Sequence, residues 1–170
     1  MYIAPLHNDG SVRTRITLLQ GLAEVSSDPA VLLTTVLGSC VATCLFDPVA
    51  RVGGMNHFHL AHVCAETRGD ANVQYGTHMM ESLISGMLDH GADRLRLRAH
   101  VYGGADLHAG GSANTDFVKT FLDRQGILIS RQDTGGTRAR KVELLAAAGK
   151  VRCRHVDREA APIVRGTSKI

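Results

Sequence analysis

The stretch KVELLAAAGKVRCRHV, Lys141 to Val156, holds two strand-like runs, Lys141 to Ala146 and Val151 to Val156, joined through Ala-Gly-Lys. Two such runs in immediate succession across a glycine suit a hairpin. A hairpin needs no crossover helix, so this end of the chain argues for α+β with much antiparallel pairing, against strictly repeated βαβ units. Working towards the N-terminus, Ile127 to Ser130 reads as a further strand. Before it, a helix is expected to start near Asn114 or Thr115, expose Asp116 and Lys119, bury Phe117, Phe121 and Leu122, and stop at Gly126. Arg94 to Tyr102 alternates, which predicts a half-buried strand with Arg94, Arg96 and Arg98 on its solvent face. The clearest helix is Gly76 to His90, where Met79, Met80, Leu83, Ile84, Met87 and Leu88 recur at three- and four-residue spacing ahead of Gly91. Val31 to Leu37 and Val41 to Phe46 are short apolar runs, the second closed by Asp47-Pro48. Val52 to Leu60 is a third, in which Gly53-Gly54 signals a bulge or a close backbone approach. The expected fold is α+β: six or seven strands in mixed, largely antiparallel β-sheets, flanked by two main helices.

The 170 residues are 44% hydrophobic and 21% charged, ordinary for a globular protein and enough for one substantial core. Aromatics make up only 4% and Trp is missing, so that core must rest on Leu, Val, Ile, Met and Ala. Nineteen basic against sixteen acidic residues leave a net charge of +3, too mild a field to predict nucleic-acid binding. Met1 to Gly10 lacks the basic start and apolar block of a signal peptide, and no run approaches the roughly 18 apolar residues that span a bilayer. Four cysteines at 40, 44, 64 and 153 form neither C-x-x-C pairs nor a dense disulfide framework. Reduced thiols and a cytoplasmic location are expected. The organisation read from these features is a flexible arm over 1–14, a single catalytic domain over 15–156 and a flexible tail over 157–170.

Three segments carry residue types that do chemistry. Leu37-Gly38-Ser39-Cys40 sets a thiol after a Gly-Ser pair at a strand end, where a tight turn leaves backbone N–H groups free to hold an oxyanion. Asn56-His57-Phe58-His59 offers two histidines of the same strand parity, either a base beside a thiol or half of a metal pair. A zinc site through His57, His59 and Cys64 is the competing reading, and it has no carboxylate or C-x-x-C partner to complete a familiar spacing. Gly103-Gly104-Ala105 with Gly110-Gly111 lacks the Lys-Ser/Thr of a phosphate loop, so it reads as tight turns or the wall of a cleft. No Gly-x-Ser-x-Gly elbow supports a serine hydrolase. No cofactor and no metal are expected.

Taken in order, Thr34-Thr35-Val36-Leu37-Gly38-Ser39-Cys40-Val41-Ala42, Asp47-Pro48, Gly53-Gly54-Met55-Asn56-His57-Phe58, Gly103-Gly104-Ala105 and Asp133-Thr134-Gly135-Gly136-Thr137-Arg138-Ala139-Arg140 resemble the CheD family of chemoreceptor glutamine deamidases. The resemblance covers roughly residues 20 to 156 and leaves the arm, the tail and residues 61–73 uninterpreted. It implies a cysteine hydrolase sandwich with a Cys-His-Thr triad. Cys40 is then the nucleophile and His57 its base. Thr34, six residues before the cysteine, is the third member, with Thr35 the adjacent alternative. Ser39 and Gly38 support the oxyanion and the cleft. The implied reaction converts receptor glutamines to glutamates in chemotaxis signalling. The implied partners are the cytoplasmic helices of chemoreceptors and a CheC-type phosphatase, with no nucleic acid and no membrane insertion. Two alternatives follow from the same resemblance: a non-catalytic or dual-role binding partner that regulates the CheC-type phosphatase, and a receptor methylesterase at the same thiol.

Overall fold

Nine strands and two α-helices carry most of residues 14–60 and 70–157, the residues that this computed structural model describes. In chain order they are β1 (Thr14–Thr17), β2 (Leu22–Ser26), β3 (Val31–Leu37), β4 (Val41–Asp47), β5 (Val52–His57), α1 (Asp70–Asp89), β6 (Arg98–Gly103), α2 (Gly111–Arg124), β7 (Leu128–Thr134), β8 (Ala139–Leu145) and β9 (Lys150–Val156). They build two sheets, β1-β3-β8-β9 and β2-β5-β4-β6-β7. Only β1–β3 and β6–β7 pair in parallel; the other five pairings are antiparallel. The α+β expectation of mixed, largely antiparallel sheets with two main helices holds, and the Lys141–Val156 stretch is the β8–β9 hairpin.

Three layers result. Leu33 and Leu37 of β3 and Val142 and Leu144 of β8 meet Ala42, Cys44, Met55 and Tyr102 of the second sheet, forming a core between the sheets. On the second sheet's other face, Val41, Leu45 and Val101 pack under Met80, Leu83 and Met87 of α1 and Leu122 of α2. The second sheet is therefore covered on both sides. This is why β4 and β5 read as near-continuous apolar runs and not as alternating ones. Gly53 marks a close approach: a Cβ there would lie 2.2 Å from the Ala146 carbonyl oxygen.

The sequence reading fails at Arg94–Arg96, which form a 3-10 turn, with β6 starting only at Arg98. Leu95 is 88% exposed, so the alternation there has no face to bury. Local hydrogen bonding wins instead: the Asp93 carboxylate accepts from Leu95 N at 2.9 Å and caps the turn. The Arg96 guanidinium then reaches buried Asp47 at 2.9 Å instead of facing solvent. β1 and β2 carry no apolar pattern in the sequence, since both are short and mostly exposed or half-buried. α1 begins at Asp70, ahead of Gly76, and α2 begins at Gly111, which leaves Asn114 buried inside it. Except for Thr14 and Asp157, the arm and tail lie outside the described residues, as do His62, Cys64 and Arg68. Among the described residues, no helix is long and apolar enough to cross a membrane.

Asp47 pins the turn after β4 to the start of β6. Its carboxylate accepts from Val49 N at 2.9 Å, Ala50 N at 3.0 Å and Asp93 N at 2.8 Å, besides Arg96. Burial alone would raise its pKa, but Arg96 and these amides hold it far below the ordinary carboxylate range. A depressed carboxylate stabilises the fold above its unfolded pKa, and that contribution fades as pH falls through the native one. Asp47→Asn leaves at least one buried amide facing a donor and is predicted to cost about 3 kcal/mol in urea unfolding at pH 7. The gap to the parent protein should narrow steadily as the pH is lowered below about 4.

Candidate active site

The chain changes sheets between β3 and β4, and it does so across Gly38-Ser39-Cys40. Each carbonyl of this crossover is tied down. Gly38 O accepts from Ala105 N at 3.0 Å, Ser39 O from Asn114 Nδ2 at 2.8 Å and Cys40 O from Gly104 N at 2.8 Å. Gly103, at φ +107°, permits the last contact, because a Cβ on it would sit 2.2 Å from the Cys40 oxygen. The Gly103-Gly104 pair thus backs the crossover as a wall. Among the described residues, the amides of Ser39 and Cys40 donate to no backbone carbonyl. Asn114 also accepts from Leu60 N at 2.9 Å, so one buried side chain joins the cysteine turn to the end of the His57 segment.

His57 ends β5. Val41 and Phe58 exchange both backbone hydrogen bonds, at 2.9 and 3.0 Å, and Cys44 pairs with Met55. The two pairings share one register, which sets Ala42 opposite His57, and Cys40 leads into this strand and packs with Ala42 against the core between the sheets.

The protons around the ring can be assigned by donor and acceptor capacity. Thr35 Oγ1 donates its one hydrogen to Leu18 O at 2.8 Å. His57 Nδ1 lies 2.8 Å from Thr35 Oγ1 and 3.3 Å from Leu18 O. A carbonyl oxygen only accepts, and the hydroxyl hydrogen is already committed, so Nδ1 must carry the hydrogen. Nε2 keeps its lone pair and is the basic nitrogen. Burial pushes the His57 pKa down, partly offset by Leu18 O, and burial pushes the Cys40 thiol up, partly offset by its own amide. Both shifts favour the uncharged forms of the two groups.

The threonine beside His57 is Thr35, and the Thr34 expectation is corrected. It assumed one strand running from residue 34 to Cys40, but β3 stops at Leu37 and the chain then enters another sheet, so side-chain parity does not carry across. Thr35 shares the inner face with Leu33 and Leu37. Thr34 points to the outer face, opposite Glu143, whose carboxylate is clamped by Arg15, Lys141 and Arg152. His59 shares parity with His57, but its ring lies against Gly110 at the start of α2. Among the described residues no three His, Cys, Asp or Glu side chains gather as a metal site requires, and Cys64 lies outside them.

Two residues at the site have no signal in the sequence. Gln20, in an exposed turn, takes a hydrogen bond from Cys40 Sγ on its Oε1 at 3.4 Å. Asn114 looks like a helix start and instead clamps Ser39 from inside α2. A cleft of about 620 Å³ opens beside the ring, lined by His57, Thr35, Gln20, Leu18, Leu19, Val36, Leu107 and the Thr137–Ala139 segment. Cys40 is not part of that lining; its sulfur meets the cleft through Gln20. Arg140 holds the far wall, with its guanidinium 2.8 Å from both Asp133 Oδ1 and Gly135 O.

The family model described as CheD chemotactic sensory transduction matches residues 61–155, more than half of the chain. The chain belongs to the CheD family. Among curated relatives, a protein of Zymomonas mobilis subsp. mobilis named probable chemoreceptor glutamine deamidase CheD is 46% identical over 150 residues, covering 85% of this chain and 82% of that one. A CheD of the same description from Caulobacter vibrioides is 44% identical over 160 residues, covering 92% and 86%. One from Agrobacterium fabrum is 48% identical over 142 residues, covering 81% and 78%. The family match begins after His57, whereas an alignment over 92% of the chain necessarily spans Cys40 and His57.

An uncharged thiol and imidazole make a pH signature. Alkylation of Cys40 by iodoacetamide should accelerate continuously up to and beyond about pH 9, with no plateau at mildly acidic pH. A plateau between about pH 5 and 7 would reveal a preformed thiolate–imidazolium pair and contradict the uncharged resting state.

Proposed function

We propose that this CheD protein hydrolyses glutamine side-chain amides of chemoreceptors to glutamate, with Cys40 as nucleophile, His57 as base and Thr35 as the residue that orients the ring. The observation that carries the reading is the hydrogen-bond set at Nδ1. It leaves Nε2 as the one basic atom of the ring, with Cys40 leading into the strand that pairs beside His57.

The reaction runs in two halves. As Sγ attacks the carboxamide carbon, its proton passes to His57 Nε2 and the C=O electron pair moves onto oxygen. Ser39 N–H and Cys40 N–H are suited to stabilise that oxygen, and Gly38 gives the turn its tightness. The tetrahedral adduct collapses by breaking the C–N bond, and the Nε2 proton leaves with the nitrogen as ammonia. Water then adds to the thioester, gives a proton to Nε2, and releases glutamate and the restored thiol. One water is consumed and one ammonia released for each glutamine. An amide is a poor electrophile with a poor leaving group, so a sulfur nucleophile paired with a proton donor answers both difficulties.

The substrate is a protein side chain, and the apolar lining of Leu18, Leu19, Val36 and Leu107 suits the methylene stem of glutamine. Receptor signalling helices and a cytoplasmic site of action are part of this proposal, as is a CheC-type phosphatase as regulatory partner. These rest on the relatives' names and on the resemblance.

Incubation with a receptor cytoplasmic fragment should convert specific glutamines to glutamates, read by mass spectrometry as a gain of about 1 Da per site with equimolar ammonia. Cys40→Ala should abolish both while leaving the melting curve nearly unchanged; undiminished activity in that variant rejects the mechanism. Thr35→Val should lower kcat by about 10-fold or more by releasing the ring, whereas Thr34→Val should stay within about 3-fold of the parent.

A further inference from the structure

We propose that Gln20 is a catalytic residue of this site: its side-chain amide supplies an N–H donor to the oxyanion that forms when Cys40 attacks. The inference rests on Cys40 being the nucleophile of the reading above, and it adds a group outside the Cys-His-Thr set.

The geometry begins with the turn that presents Gln20. Leu18 N donates to Thr34 O at 2.8 Å, and Leu18 O takes the hydrogen bonds from Thr35 and His57. On the other side, Gly21 N donates to His57 O at 2.7 Å, and Leu22 N closes the turn onto Leu19 O at 3.2 Å. The two residues between these anchors are Leu19 and Gln20. The backbone of Gln20 is thus bound through its neighbours to the histidine itself, while its side chain stays exposed.

At rest the thiol donates to Gln20 Oε1 at 3.4 Å. Once the thiol proton has moved to His57, nothing remains for Oε1 to accept, and an amide oxygen beside an electron-rich sulfur is repelled. Rotation about the terminal sp³–sp² bond is soft and nearly two-fold, so a half-turn replaces Oε1 by Nε2 at almost the same place. Nε2 carries two hydrogens and faces the space beside Sγ, where the substrate carbonyl oxygen gains its charge. The backbone donors on hand are Ser39 N–H, bonded to no backbone carbonyl among the described residues, and Cys40 N–H, which already leans on its own sulfur. A tetrahedral oxyanion takes two or three donors, so a side-chain amide held next to the sulfur completes the set.

A probe that forms the same adduct without turnover separates this role from thiol positioning. A short peptide whose target glutamine carries an aldehyde in place of the carboxamide adds Sγ reversibly to give a hemithioacetal, with its oxygen in the oxyanion position. In Gln20→Ala and Gln20→Glu, aldehyde affinity should fall roughly 10²-fold, and kcat for deamidation should fall by a similar factor with KM within about 3-fold. Iodoacetamide alkylation of Cys40 in Gln20→Ala should change by less than about 3-fold, because displacement of iodide creates no oxyanion. Unchanged aldehyde affinity, a kcat that rises when the side chain is removed, or alkylation that falls in step with aldehyde binding would each overturn the role. So would a parent protein that binds no aldehyde. If the parent binds the aldehyde in a Gln20-dependent way but releases no ammonia from receptor fragments, the deamidase reading fails and the Gln20 donor stands.

Discussion

Leu18 carbonyl oxygen receives hydrogen bonds from two groups that both belong to the site, the Thr35 hydroxyl at 2.8 Å and the His57 ring at 3.3 Å. Because that oxygen accepts and never donates, it sets the direction of both bonds, and through them the tautomer of the imidazole. In a sheet of alternating donors and acceptors such a carbonyl would be spent on a neighbouring strand. Here β1 ends at Thr17, so the next carbonyl is free to turn inward, and Leu18 itself is buried in the core between the sheets. A packing residue at a strand end thereby decides which nitrogen is basic. Rearranging the loop after β1 would disturb the base without touching the base.

The site also depends on two sheets being brought face to face. Thr35 comes from the first sheet, His57 from the second, and Cys40 from the crossover between them. Helix α2 contributes Asn114, which holds the crossover from behind. No one layer contains the site, so the inter-sheet core of Leu33, Leu37, Ala42, Met55 and Tyr102 is what sets the distance between its parts. Such cores are close-packed and yield little, which gives side chains on opposite layers fixed relations. Exposure increases at the outer edge, where Gln20, Leu19 and Val36 stand at the cleft, and there the protein meets whatever enters.

Much of this was legible in the sequence, and the remainder was hidden for physical reasons. The runs Val31–Leu37 and Val151–Val156 announce their strands by β-branched and apolar residues between turn residues, and the Met stripe of α1 announces the helix by its spacing. Cys40 after Gly38-Ser39 and His57 after Gly53-Gly54 stood out because glycines next to reactive side chains mark tight backbone. Thr34 and Thr35 could be told apart only by knowing that the strand ends at Leu37 and that the next one joins another sheet, which is a tertiary fact. Arg94–Arg96 has the pattern of a strand in sequence because alternation cannot tell a buried face from a carboxylate that captures an arginine. Gln20 and Asn114 are ordinary polar residues whose roles arise from partners 20 and 75 positions away. No local pattern encodes such partners.

An uncharged resting pair bears on the kind of bond the site is suited to cleave. A preformed thiolate–imidazolium pair has its nucleophile ready, but it keeps that charge in a partly buried place, and burial here opposes ionisation of both groups. With a neutral pair, the proton leaves sulfur only as the sulfur–carbon bond forms, so nucleophile activation and substrate attack are one event. On the proposed reading the proton then rests on Nε2, while Nδ1 stays anchored to Thr35 and Leu18. Amide nitrogen departs only when protonated, and on the proposed reading the sole mobile proton sits on the atom nearest to it. The same anchoring that prevents the ring from turning also prevents the proton from being lost to Nδ1. A site whose hydrogen bonds fix Nδ1 and leave Nε2 to carry the thiol's proton is therefore matched to a substrate whose leaving nitrogen must be given a proton, which is the requirement of a carboxamide.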